Sequence, residues 1–279
     1  FSKKLLPIPA DIITGVYYPW LDYKWGFSTG VPVKNPLMSD IPSLLYPWRS
    51  FAIDEIKAGR WPLWNPYYFL GMPLLANFQS AVFSYVNIFF LFLSKPLAWS
   101  LGVMTSPLLT ILAMYFFLQY KKLNKISSLL GGIVFGLSGF EIAWMEYNVH
   151  GHTVLFLPLL LLAIDKIFEK NRFWFLLLPV LVAMQIFTGY IPVVIYTYIV
   201  CLFYVLFFYL IPQLKTKVIR LSVIARSADS AGRGNLDRIT VLLRDCFISL
   251  SLIRNDKINK IHGKRYLLLA LFWLIGLGM

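Results

Sequence analysis

Residues 99–120 read WSLGVMTSPLLTILAMYFFLQY, and residues 121–125 read KKLNK. The first stretch carries no charge. It is long enough to cross a bilayer core, which takes about 20 mostly apolar residues. The second places Lys121, Lys122 and Lys125 at its end, where the positive-inside rule puts a cytoplasmic loop. This pairing predicts an all-α polytopic transmembrane bundle.

The same alternation extends on both sides. Ser127–Met145, Thr153–Phe168, Phe173–Tyr190 and Pro192–Ile211 are further apolar runs, giving five expected spans over 97–212. Thr153–Phe168 is short and uses Lys166 as a snorkelling end. Tyr266–Met279 starts another span. Glu146, His150 and His152 follow the second run without Lys or Arg, whereas Lys166, Lys170 and Arg172 follow the third. The turn Gly189-Tyr190-Ile191-Pro192 is uncharged, and Lys215, Lys217 and Arg220 follow the fifth run. The basic side is expected to be cytoplasmic, which leaves residues 1–96 extracytoplasmic. Val82–Ser94 is apolar but only about 13 residues long, a length that suits an interfacial or re-entrant segment better than a span; were it to span, residues 1–79 would be cytoplasmic. Residues 213–265 read as a basic cytoplasmic loop held near anionic lipid. Gly232-Arg233-Gly234 lacks the Lys-Ser/Thr of a phosphate loop.

Composition agrees. The 279 residues are 58% hydrophobic and only 14% charged, against about 25% charged in a soluble domain. Lipid must cover part of this surface. The net charge of +13 sits in clusters between apolar runs rather than on one face, which argues against nucleic acid. Cys201 and Cys246 lack CxxC partners, so a disulfide framework or zinc site is not expected. Beginning at Phe1 and ending inside an apolar run, the chain reads as a piece of a longer protein.

Candidate chemistry concentrates in the first region. Its Pro and Gly residues fix turns, and its Trp and Tyr residues favour the headgroup level. The quoted motifs are PLWNPY at 62–67, GMPLLAN at 71–77 with Gln79, FGLSGF at 135–140, His152, Leu157-Pro158-Leu159 and Asp165-Lys166. Together they resemble the YfhO-like bacterial membrane proteins over roughly residues 5–212. That family in turn resembles the GT-C glycosyltransferases, which use polyprenyl-phosphate sugar donors and keep an Asp in the first outer loop. The resemblance implies a glycosyltransferase of the bacterial cytoplasmic (inner) membrane. Its partners would be membrane lipid, a polyprenyl-phosphate sugar, and a cell-envelope polymer or lipid acceptor.

Such a transfer needs a carboxylate to take the acceptor proton and a cation to steady the leaving phosphate. The resemblance assigns Asp40 as general base, with a divalent-metal ligand as its alternative role. No other cofactor is expected. Asp40 could instead cap the helix begun by Ile41-Pro42. Asp11, Arg49, Trp64, Asn65, Gln79, Glu141, His150 and His152 are candidate substrate-binding residues. Glu141 is an intramembrane carboxylate, a functional candidate by its cost alone. His150 and His152 flank Gly151 in a loop, as a pair able to meet a metal or phosphate. The competing class is a non-catalytic transporter, flippase or envelope assembly protein, which would show broken helices and midplane ionisable groups.

Overall fold

The computed structural model describes residues 7–230. Cys246, the Gly232-Arg233-Gly234 triplet and the expected span at 266–279 lie outside them. The chain divides into two compact units, Phe1–Leu202 and Phe203–Met279.

The first unit opens with irregular segments. Helix α1 (Asp11–Val16) precedes a run of tight 3-10 turns. Ile41–Leu45 form a π turn that leads directly into α2 (Tyr46–Lys57). Pro47 sits in the first turn of α2, where its missing N–H costs nothing. A two-residue ladder joins β1 (Trp64–Asn65) to β2 (Met72–Pro73), Trp64 opposite Pro73. The apolar run 82–94 yields only the five-residue α3 (Ile88–Phe92) after a 3-10 turn. At about 1.5 Å per residue, α3 is far too short to cross a bilayer.

The bundle follows. Helix α4 (Lys95–Tyr120) is 26 residues long and carries Pro96 in its first turn and Pro107 inside. Asn124 then caps α5 (Lys125–Gly136), its side chain accepting from Ser127 N–H at 2.7 Å. The expected continuous run 127–145 is broken at Leu137-Ser138. Ser138 has extended backbone and caps α6 (Gly139–Trp144), which ends in a 3-10 turn over Met145–Tyr147. Gly136, Ser138 and Gly139 are weak helix formers, so the chain yields here.

Two short elements, α7 (His150–Val154) and α8 (Phe156–Phe168), return across the bundle. His150 and His152 therefore lie within the third long helical stretch, not in a loop. Helix α9 (Arg172–Phe187) is capped by Asn171 and has 16 residues, and α10 (Ile191–Val205) follows the Gly189 turn. Among the described residues, four stretches are long and apolar enough to cross a membrane: Lys95–Tyr120, Lys125–Tyr147, His150–Phe168 and Ile191–Leu214. The expected fourth span is the shorter α9, about 24 Å long.

Helices α4 and α5 lie unusually close. A Cβ on Gly132 would stand 2.8 Å from the Ile111 carbonyl oxygen, and one on Gly136 would stand 2.9 Å from the Ile111 nitrogen. Only hydrogen fits between the two backbones. Gly132 and Gly136 form the small-xxx-small seam by which apolar helices pack without a hydrophobic driving force.

The bundle has two distinct ends. At one, Lys121 pairs with buried Asp165, and Tyr120 Oη donates to Glu169 at 2.6 Å. Lys122, Lys125, Lys166, Lys170 and Arg172 belong to the turns and helix ends on this side. At the other end, α2 and the π turn pack on α4 and on the 145–150 turn. Their core contains Ile41, Leu45, Trp48, Ala52, Ile53, Trp99, Val103, Tyr147 and Val149.

In its described part the second unit is helical, with a π turn at Leu206–Leu210 and α11 (Ile211–Ser230). Residues 213–230, expected to be loop, are therefore helix.

Candidate functional site

The end of the bundle opposite Lys121 holds a buried polar frame. At its centre is Asn148, in left-handed conformation (φ 59°) between the 3-10 turn and α7. Asn tolerates this region better than most residues. Its side-chain amide donates to the Trp99 carbonyl at 3.3 Å. Its own carbonyl accepts from both terminal nitrogens of Arg49, at 3.3 and 3.4 Å. The guanidinium lies 5.4 Å from the centroid of the Trp99 ring. Arg49 is only 2% exposed, and burial pulls its pKa down to about 10. It is thus a fully committed internal clamp. The sequence reading offers Arg49 as a cation facing a phosphate; here its guanidinium is buried and turned to the Asn148 carbonyl.

His152 continues the frame. Its Nδ1 meets Tyr85 Oη at 2.7 Å, and its Nε2 lies 2.9 Å from the Gly102 carbonyl and 3.2 Å from Asn148 Oδ1. His150 points elsewhere. It stacks with Trp144 and lies 3.6 Å, centroid to centroid, from Tyr190. Residues two apart on a helix do not share a face. Helical structure therefore separates the two histidines that a loop would have let converge.

Glu141 is completely buried in α6 and accepts a short hydrogen bond from Ser106 on α4. Its other oxygen has no hydrogen-bond partner among the described residues, nor does Gln185 Oε1 or His150 Nδ1. Gly151 backs directly onto the Ser106–Glu141 pair, and a Cβ there would stand 2.6 Å from the carboxylate carbon. Nearby, Thr153 on α7 and Thr188 just past the end of α9 share a 2.6 Å hydrogen bond, and Gln185 on α9 donates to the Thr153 carbonyl at 3.2 Å.

Outside this frame stand the carboxylates. Asp40 occupies the N-cap position of the π turn, yet its side chain makes no capping hydrogen bond. It is exposed. Tyr147 Oη donates to the Leu37 carbonyl at 2.8 Å, which brings the phenol within reach of the Asp40 charge. Asp11, half-buried at the start of α1, accepts from Lys34 N–H at 2.9 Å, and Glu146 stands in the field of both Asp11 and Lys34. Asp40, Asp11, Glu146 and Lys34 thus surround one rim.

Trp64 and Asn65 belong to β1, and Gln79 to the 3-10 turn at Phe78–Ser80. Asn65 is buried and its Oδ1 accepts from Tyr67 N–H at 3.0 Å, fixing a turn. Trp64 is half-exposed and lies over Gly71. Gln79 is exposed beside the Asn77 turn. Among the described residues no group of three His, Cys, Asp or Glu side chains could hold a metal ion. Asp40 therefore has no protein-built cage around it there.

Sequence reasoning missed Asn148, Tyr85, Ser106 and Trp99. Ser106 left a trace as a hydroxyl in an apolar run. Asn148 acts partly through its backbone carbonyl, which no residue pattern announces.

These features define a multi-pass helical membrane protein with a polar frame at one end and a carboxylate rim beside it. The chain belongs to the family of the bacterial membrane protein YfhO, whose family model matches residues 71–232. No curated protein and no solved structure matches it.

Proposed function

We propose that the protein is a glycosyltransferase moving a sugar from a polyprenyl-phosphate donor to a cell-envelope polymer or lipid, with Asp40 as general base. The observation that carries this reading is the state of Asp40. It sits where a helix cap would sit, yet caps nothing, and it faces open space beside Tyr147. A carboxylate used for structure would be bonded. This one is available to take a proton. In the step proposed, the acceptor hydroxyl loses its proton to Asp40 as its oxygen bonds to the anomeric carbon. The bond from that carbon to the phosphate oxygen breaks, and polyprenyl phosphate leaves. Lys34 is the exposed cation on the rim, in place of the buried Arg49.

The rim faces the extracytoplasmic side of the bacterial cytoplasmic membrane in this reading. The short turns at the opposite end carry Lys121, Lys122, Lys125, Lys166, Lys170 and Arg172, whereas residues 145–150 and 187–191 carry no Lys or Arg. That asymmetry is what the positive-inside rule weighs.

The break at Leu137-Ser138 and the buried Glu141 favour a second reading, a transporter or flippase, since discontinuous helices with ionisable groups mark substrate pathways. Glu141, however, lies in the last helical turns before the Asn148 end rather than midway along the span. The test is envelope sugar content in cells carrying the complete gene, its deletion, or Asp40→Asn at normal protein level. Loss of one sugar in both mutants supports the transferase. An unchanged glycan profile on deletion removes it and leaves the transport or assembly reading.

A further inference from the structure

We propose that the tip of the β1–β2 hairpin inserts into the lipid bilayer at the boundary between headgroups and acyl chains. The tip is Tyr67-Tyr68-Phe69-Leu70. Phe69 is 89% exposed and Leu70 fully exposed. Phe69 also has a positive φ of 51°, a conformation that is an outlier for a bulky aromatic residue. A turn bond from Gly71 N–H to the Tyr68 carbonyl (2.9 Å) and the packing of Trp64 over Gly71 hold it there. The chain thus adopts an unfavourable backbone that projects two large apolar side chains outward. Strain of this kind persists where the surroundings determine it and points to function.

Two observations identify lipid as what covers the tip. First, residues 61–94 contain no Asp, Glu, Lys, Arg or His, whereas water-facing loops normally carry charge. Second, the apolar surface is continuous with the lipid-facing side of the bundle. Trp61 packs on Phe83 (6.3 Å between ring centroids) and Phe83 packs on Phe187 (5.3 Å), the last residue of α9. The exposed face of α9 includes Leu176, Val180 and Met184, which belong in acyl chains. The hairpin begins where that face ends, which is the level favoured by Trp and Tyr.

The first half of the tip is anchored to α2. Tyr68 packs edge-on against Trp48 and Tyr67 against Phe51, both at 5.5 Å. Both partners are on α2, the helix that carries Arg49. Lipid held by the tip therefore fixes α2 against the membrane surface. The tip meets lipid whatever reaction the rim performs.

The test uses the full chain with Cys201→Ser and Cys246→Ser, in nanodiscs of phosphatidylethanolamine and phosphatidylglycerol. Phe69→Cys, Leu70→Cys and, as a water-facing reference, Lys57→Cys are labelled with an environment-sensitive fluorophore. The tip labels should be quenched by lipids bearing a nitroxide high on the acyl chain. They should also be at least about threefold less sensitive to aqueous iodide than the Lys57 label, as expected of side chains buried in the interface. Iodide quenching equal to that at Lys57 would overturn the proposal. So would shielding from iodide without nitroxide quenching, which would mean that protein covers the tip. Both tip residues are exposed; the ring contact of Phe69 is with its neighbour Tyr68 at 4.7 Å, which is itself held against Trp48, so neither substitution removes a core contact.

Discussion

Replacing Gly151 by Ala tests whether the Ser106–Glu141 pair is as closely enclosed as the structure shows. Gly151 lies within α7, where exchanging Gly for Ala normally stabilises a helix by about 1 kcal/mol. A loosely packed site would show that gain. Here the new Cβ would overlap Ser106 Oγ and a Glu141 carboxylate oxygen. Overpacking costs about 1–3 kcal/mol. Forcing the pair apart leaves a buried carboxylate without its hydrogen bond, at about 1–3 kcal/mol more. Subtracting the helix gain leaves a net loss of about 1–5 kcal/mol, so even the sign is diagnostic. Unfolding in detergent micelles would measure it. Gly151→Ala combined with Ser106→Ala should recover part of the loss, with coupling between the two sites. A Gly151→Ala protein as stable as wild type, or more so, would refute the enclosed geometry.

Three other outcomes are expected. Arg49→Ala should destabilise by about 2–4 kcal/mol, from lost charged hydrogen bonds and the lost ring contact with Trp99. Arg49→Lys should rescue it only partly, because Lys lacks the fork that reaches one carbonyl twice, and thermal melts would show both. Removing one partner of the buried Lys121–Asp165 pair, as in Lys121→Met, should cost about 3–5 kcal/mol by the same measurement. The Tyr120 hydroxyl, followed by Lys166, holds the Glu169 carboxyl below its ordinary pKa. That depression stabilises the fold above the ordinary carboxylate pKa and is lost as pH falls through the lowered one. Melting temperature against pH should therefore fall at a higher pH in Tyr120→Phe than in wild type.

The sequence was a good guide wherever an element is set by its own composition. The uncharged run ending in Lys121-Lys122 became α4 and its turn, and 82–94, short for a span, became the brief α3. Elements set by tertiary packing were harder to read. The break at Leu137-Ser138 was signalled by neighbouring Gly and Ser, but hydrophobicity runs through it unaltered. Residues 213–230 are polar enough to read as loop yet are helical. For the candidate residues, Glu141 could be singled out because a carboxylate in an apolar run stands alone. Arg49 could not be placed, because its burial depends on a carbonyl from the turn at Asn148 and a ring from α4.

The clamp between Arg49 and the Asn148 carbonyl joins groups 99 positions apart in the chain. The Gly132–Gly136 seam, in contrast, unites two helices separated only by a tight turn. Contacts between near neighbours form early, and those that close long loops form late. During synthesis the α4–α5 hairpin can therefore settle while the segment carrying Arg49 still waits, because the carbonyl it needs has not yet emerged. The guanidinium then finds its acceptor only after α6 has entered and the chain has turned at Asn148. Seating of that single side chain marks the moment at which the first half of the bundle is complete.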